Sequence, residues 1–304
     1  MAEQQSIATI EETALAKKAT SGDTPEVPAP VKASDPPPGE PQPIESVAKP
    51  LTWYEAISKD DDEATKKAIA SEVASIIAKH KLDNYVTLLL FDEADSIVNY
   101  HADRLYAAAS PFKESGKDIL LIVQSNGGRI EPAYLISKTL RRISGKKFVV
   151  AVPRRAKSAA TLISLGADEI HMGMMSQLGP IDPQLHGLPV LALGNALDVI
   201  AGLTSRFPAT SEMFTKYLTD QVPIRLLGYY QRVGESAEQY AERLLANKKL
   251  PDGKTAKQIA NHLVNHYKDH DFVIDFDEAQ SLLGSDIVKQ GTIEYAAATR
   301  YLDF

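Results

Sequence analysis

The chain contains no cysteine, so disulfides, thiolate metal sites and cysteine nucleophiles are excluded from the outset. It also lacks any long apolar run. The longest, TLLLF at 87–91 and DILLIV at 118–123, have the length of strands. Neither approaches the roughly 20 apolar residues of a membrane span. No apolar stretch follows the N-terminal residues, so no signal peptide is expected. Positive charge is in deficit, with 33 basic against 40 acidic residues and a net charge of −7. That balance argues against a general nucleic-acid binder, which needs a basic surface. No GxxxxGK[ST] occurs, since Gly253-Lys254-Thr255 lacks the earlier glycine; an ATP-binding P-loop is not expected. These absences together fit a cytoplasmic location.

What is present is globular in balance, with 44% hydrophobic and 24% charged residues. Residues 1–50 stand apart, because they hold nine of the 18 prolines, including Pro36-Pro37-Pro38. Such a segment buries too little apolar surface to offset the entropy of ordering it. It reads as a disordered tail or tether, or as a docking peptide for a separate partner. The remainder, 51–304, reads as one domain.

From residue 62 the pattern alternates. Ile69, Val73, Ile76 and Ile77 fall at helical spacing within 62–80, and strands are expected at 84–91, 117–124, 147–152 and 169–172. Helices are expected at 99–110, 132–143 and 158–167, between those strands. This order is the grammar of an α/β fold with parallel pairing. Residues 191–265 read as mostly helical, and 272–287 return to strand, helix and turn.

Four short stretches could carry chemistry. SNGG at 125–128 follows a buried strand, where paired glycines let a backbone come close and free N–H groups can face an oxyanion. In RRAKSAATLISLG, Ser158 sits where a strand meets a helix. Alone, it reads as a helix cap; the same position also suits a nucleophile beside the positive end of the helix dipole. In LGPIDPQ, two prolines hold Asp182 in a stiff loop. In KDHDFVID, His270 and Asp271 precede a β-like stretch. His262, His266 and His270 recur every fourth residue, but no glutamate accompanies them in an HExxH, so no metal site is expected.

Taken in order, the four resemble the Clp protease and signal peptide peptidase A superfamily, which shares the crotonase fold. They resemble most its serine dehydrogenase proteinase branch, the SDH-type or "ClpP class". The resemblance covers roughly residues 85–290, and the block from Ser176 to Gln184 is its most specific part. It implies a ClpP/crotonase-like α/β fold of repeated β-β-α units, joined here by a helical region and the tail. It also implies a serine-type endopeptidase without a cofactor, acting on peptide or protein, and a homo-oligomer with contacts from 191–265. Ser158 takes the nucleophile position, and Gly127, Gly128 and Ala159 the oxyanion hole.

The chain departs from the pattern at three places. Ala160 replaces a glycine, Asn126 replaces a proline, and Ile181-Asp182 occupy the place of the Clp histidine. Asp271 matches the Clp aspartate, seven residues before Glu278. The expectation is therefore that His270 is the general base, oriented by Asp182 or Asp271. Adjacent strand residues point opposite ways, which favours Asp182. Lys157, Lys138 and Lys216 are rival bases for a Ser–Lys dyad, and His171 and His186 are further candidates. Two alternatives stay open: a catalytically inactive scaffold and a crotonase-type acyl-CoA enzyme.

Overall fold

The computed structural model describes residues 62–92, 94, 96–185, 188–221 and 224–302. The proline-rich segment and His186 lie outside them. The described chain is a mixed α/β structure built on a curled parallel sheet.

Helix α1 (Asp62–Lys79) leads to β1 (Tyr85–Asp92), α2 (Asn99–Ala109), β2 (Asp118–Ser125) and α3 (Ile130–Ile143). There follow β3 (Phe148–Ala151), β4 (Arg155–Ala156), α4 (Ala159–Leu165), β5 (Glu169–His171) and β6 (Gln177–Leu178). A small hairpin, β7 (Gln184–Leu185) and β8 (Leu188–Pro189), opens the helical region of α5 (Val190–Arg206), α6 (Ser211–Gln221), α7 (Ile224–Leu245) and α8 (Ala256–Asn265). The chain closes through α9 (Phe276–Leu283), β9 (Val288–Lys289) and α10 (Ile293–Leu302).

β2 organises the sheet. It pairs in parallel with all of β1 on one side. On the other side its first half meets β3, and its last residue, Ser125, meets Ala156 of β4. The sheet therefore splits and curls at the C-terminal end of β2, where SNGG begins. The order runs β6-β4-β2-β3-β5-β9.

The sequence DILLIV explains why β2 is central. Side chains alternate across a strand, and both faces of this one are apolar. Ile119, Leu121 and Val123 join the larger core with α3, α4, α7 and α8. Leu120 and Ile122 join a second cluster with Ile76 of α1 and Ala297, Ala298 and Tyr301 of α10. Each leucine or isoleucine so buried contributes about 1.5–3 kcal/mol.

Expected and observed elements differ at the closing segment. FVID does not form a strand; only Ile274 makes a single antiparallel bridge, to Leu178. The reason is local. Asp275 caps α9, its carboxylate accepting Glu278 N–H at 2.9 Å, so the chain turns helical directly after Ile274. The strand that completes the sheet is β9, paired with β5. Helix α3 starts at Ile130, two residues earlier than expected, because Pro132 lies in the first turn, where no N–H partner is needed.

Candidate active site

The site lies where the sheet splits. Ser158 follows β4 and precedes α4 with φ 51° and ψ −116°. Only one other described non-glycine residue, Lys81, has positive φ. A backbone held in such a region costs about 1–3 kcal/mol and persists only where its surroundings impose it. Those surroundings are visible. Lys157 N–H donates to Ser125 O at 3.0 Å, Ala160 N–H to Lys157 O at 2.8 Å and Leu162 N–H to Ser158 O at 3.1 Å. The Ser158 hydroxyl makes no capping bond to the helix. It is thus left for another partner at a strained strand-to-helix elbow. Ala160 is fully buried inside α4, and its methyl is accommodated there.

The glycine loop presses against this elbow. Gly127 has φ +109°, and a Cβ there would lie 2.7 Å from Ser158 Cβ and 2.8 Å from Lys157 O. Gly128 has φ +151°, and a Cβ there would meet Ile97 N at 2.2 Å. Ile97 donates to Gly127 O and its own carbonyl accepts Arg129 N–H, so the N–H of Gly128 stays outside that pairing. Gly127 N–H donates to Ser125 Oγ at 3.1 Å. The Gly127 N–H is thus engaged within its own turn, and the missing Cβ of Gly127 leaves room for Ser158. The N–H groups of Gly128 and of Ala159, the first residue of α4, lie outside these pairings.

His270 lies in a turn after α8, neither on a strand nor at the helix end. Its Nδ1 is 2.6 Å from Asp182 Oδ1. A carboxylate only accepts, so Nδ1 carries the proton, and in the neutral ring the lone pair lies on Nε2. Asp182 is buried, and its second oxygen accepts Gln184 Nε2 at 3.1 Å. The hydrogen bond to Asp182 raises the His270 pKa above its ordinary 6.5, against the opposing effect of burial. The loop carrying Asp182 is anchored by Ile181 N–H on Leu263 O and by the Leu178–Ile274 bridge.

Ser158, His270, Asn126, Gly127, Gly128, Gln184 and the α7 side chains Tyr229 and Val233 line one cleft of about 670 Å³. Asp271 does not share in it. Its side chain is exposed, its N–H donates to Asp269 Oδ1, and its carbonyl accepts from Lys157. Among the rival bases, Lys157 points away, to Asp271 O and Phe272 O at 3.2 and 2.9 Å. Lys138 and Lys216 are outside the cleft lining, and Lys216 is exposed. His171 is buried elsewhere, with Nδ1 2.7 Å from Thr292 Oγ1. His262 and His266 stack at 4.1 Å on α8. Among the described residues no group of three metal-ligating side chains occurs, and no helix is long and apolar enough to cross a membrane.

Sequence reasoning missed two supporting residues. Thr161 Oγ1 lies 2.6 Å from Ala156 O and accepts Gly179 N–H at 3.0 Å, locking the LGP turn onto the elbow. Its signal was a polar residue on the otherwise apolar helix AATLISL. Gln184 steadies Asp182, and its signal was its place at the end of IDPQ.

The strained Ser158 and the His270 ring, held by Asp182, line the same cleft. Residues 101–203 match the family model of the ClpP-like SDH-type serine proteinase, so the resemblance read from the motifs is borne out over that segment. Two uncharacterized proteins of Methanocaldococcus jannaschii are similar to the chain. One is 39% identical over 82 residues, 27% of this chain and 28% of that protein. The other is 27% identical over 167 residues, 53% and 49% of the two. The matches thus span less than half the length of these relatives. Among solved structures, the 1510-N membrane-bound stomatin-specific protease aligns with TM-score 0.43 and 15% identity, over 67% of this chain and 78% of that one. ClpP1 from Listeria monocytogenes aligns with TM-score 0.43 and 12% identity, over 72% and 99%.

Proposed function

We propose that the chain is a serine peptidase in which Ser158 is the nucleophile, His270 the general base and Asp182 its orienter. The observation that carries the reading is the backbone of Ser158. A strained conformation whose hydroxyl caps nothing has no evident structural use, and it sits in the cleft that His270 also lines.

The steps follow from the groups present. His270 Nε2 takes the Ser158 hydroxyl proton as Oγ bonds to the substrate carbonyl carbon. The resulting oxyanion is stabilised by the N–H groups of Gly128 and Ala159. The imidazolium, held by Asp182, returns the proton to the departing amine, leaving an acyl-serine. Water, deprotonated by the same ring, then releases the acid and restores Ser158. No nucleotide enters these steps, so cleavage itself is independent of ATP.

Peptide or unfolded protein is the proposed substrate. A self-associating chain, with contacts from the helical region 191–265, is the proposed assembly, and a single-subunit mass in light scattering would contradict it. The reading is tested by incubating the full chain with a mixture of unstructured peptides and sequencing the products. New termini are expected with the wild type and none with Ser158→Ala. Equal cleavage by both would overturn it.

A further inference from the structure

Lys157 is the residue that precedes the nucleophile, and the mechanism above does not use it. Its side chain is buried, which is unusual for an ammonium group unless it is hydrogen-bonded. Nζ donates to two successive carbonyls, those of Asp271 and Phe272. These belong to the irregular turn that carries His270. The turn's other ties are Phe272 N–H to Asp269 O, Asp271 N–H to Asp269 Oδ1 and, from the His270 ring, the bond to Asp182 Oδ1.

The path of the lysine is shaped for it. A Cβ on Gly179 would lie 2.6 Å from Lys157 Cδ, so glycine in the LGP turn leaves the channel open. At its other end the Lys157 backbone is part of the elbow, its N–H on Ser125 O and its carbonyl under Ala160 N–H. One residue therefore joins the strained serine to the loop bearing the base.

We propose that Lys157 is a positioning residue that ties the His270 loop to the nucleophile elbow and sets where the imidazole stands relative to Ser158. The proposal rests on the peptidase reading for its effect on rate, but its geometric part does not. Lys157 also acts on His270 through charge. The groups facing His270 are Asp182 and Asp271, which favour the imidazolium, and Lys157, which opposes it. The Arg129–Glu131 pair stands at the cleft with both signs present.

The test uses the full chain with Lys157→Met, which keeps an unbranched apolar stem and removes the donor, and Gly179→Ala, which presses on the lysine from the side. Kinetics with a fluorogenic peptide are expected to show kcat lowered about 10- to 100-fold for Lys157→Met. KM should stay within about twofold, because the binding cleft is intact. Gly179→Ala should move kcat in the same direction, by less, and it carries the test if Lys157→Met does not fold. Separately, the His270 ring is titrated by NMR in a Ser158→Ala background. Its midpoint should move to higher pH with Lys157→Met, since an opposing cation is gone. That readout needs no turnover. An inactive wild type with a shifted midpoint would therefore sink the peptidase reading and leave the tether standing. A variant that melts lower but keeps kcat, KM and the His270 midpoint would overturn the proposal, because it would make Lys157 a packing residue only.

Discussion

Asp182 Oδ1 and His270 Nδ1 are 2.6 Å apart, although 88 positions separate them in the chain. The pair joins a proline-stiffened loop after β6 to a turn after α8, and it fixes which nitrogen of the ring is basic. Replacing Asp182 by Asn removes the leading cause of the raised His270 pKa. The wild-type rate should rise with pH through a midpoint above 6.5, because only neutral imidazole accepts the serine proton. In Asp182→Asn the midpoint should move to lower pH, and the plateau rate should fall about a hundredfold or more. A pH profile of kcat/KM checks both.

The same bond links pH to stability. A raised folded-state pKa contributes stability that is complete below the unfolded value of 6.5 and is lost as pH rises through the folded value. The melting-temperature gap between wild type and Asp182→Asn should therefore be wider near about pH 6 than near about pH 9. Calorimetric scans at the two values provide the check, and a gap that widens with pH would be wrong in sign.

The backbone of Ser158 makes its own prediction. Glycine tolerates φ 51° without the Cβ clash, whereas alanine does not. Ser158→Gly should be inactive yet more stable than Ser158→Ala by about 1 kcal/mol in urea unfolding. Equal stability of the two would remove the strain from the account.

The glycine loop should tolerate nothing larger. A methyl on Gly128 meets backbone atoms of Ile97 at 2.2 to 2.8 Å, in a conformation that L-residues avoid. Gly128→Ala is expected to lose about 2–4 kcal/mol of stability and to lose activity in the fraction that folds. Urea unfolding, with peptide turnover on the same sample, checks it.

Glu294 tests the opposite face of the sheet. Burial pushes its carboxyl up, but hydrogen bonds from His171, its own backbone N–H and Tyr85 outweigh that and hold it at about 2. The stabilisation is present above its usual 4.5 and is lost as pH falls through about 2. Glu294→Gln should flatten the acid limb of the melting-temperature profile over that window, with Ser158 chemistry retained.

Much of this was legible in the sequence, for physical reasons. The run DILLIV is apolar on both faces and reads as a buried strand, which is what β2 is. SNGG, Ser158 and LGPIDPQ marked the cleft because each needs a special backbone. Less legible was what depends on distant partners. FVID has strand composition, but the Asp275 cap ends it, and nothing in its own residues reveals that β9 takes the place beside β5. The occupied N–H of Gly127 depends on the rotamer of Ser125, and the direction of Lys157 depends on the space left at Gly179. The choice of Asp182 over Asp271 could be argued from strand alternation. The structure places the Asp182 carboxylate on His270 in a turn, where strand alternation does not apply.

The central claim is that Ser158 is a nucleophile activated by His270. Its most direct test is labelling of the full chain with a fluorophosphonate probe, followed by mass mapping of the modified residue. The account predicts one modified site, Ser158, in the wild type, no label in Ser158→Ala, and labelling slowed about a hundredfold or more in His270→Ala. A folded wild type that takes no label, or a His270→Ala variant that labels at the wild-type rate, would contradict it.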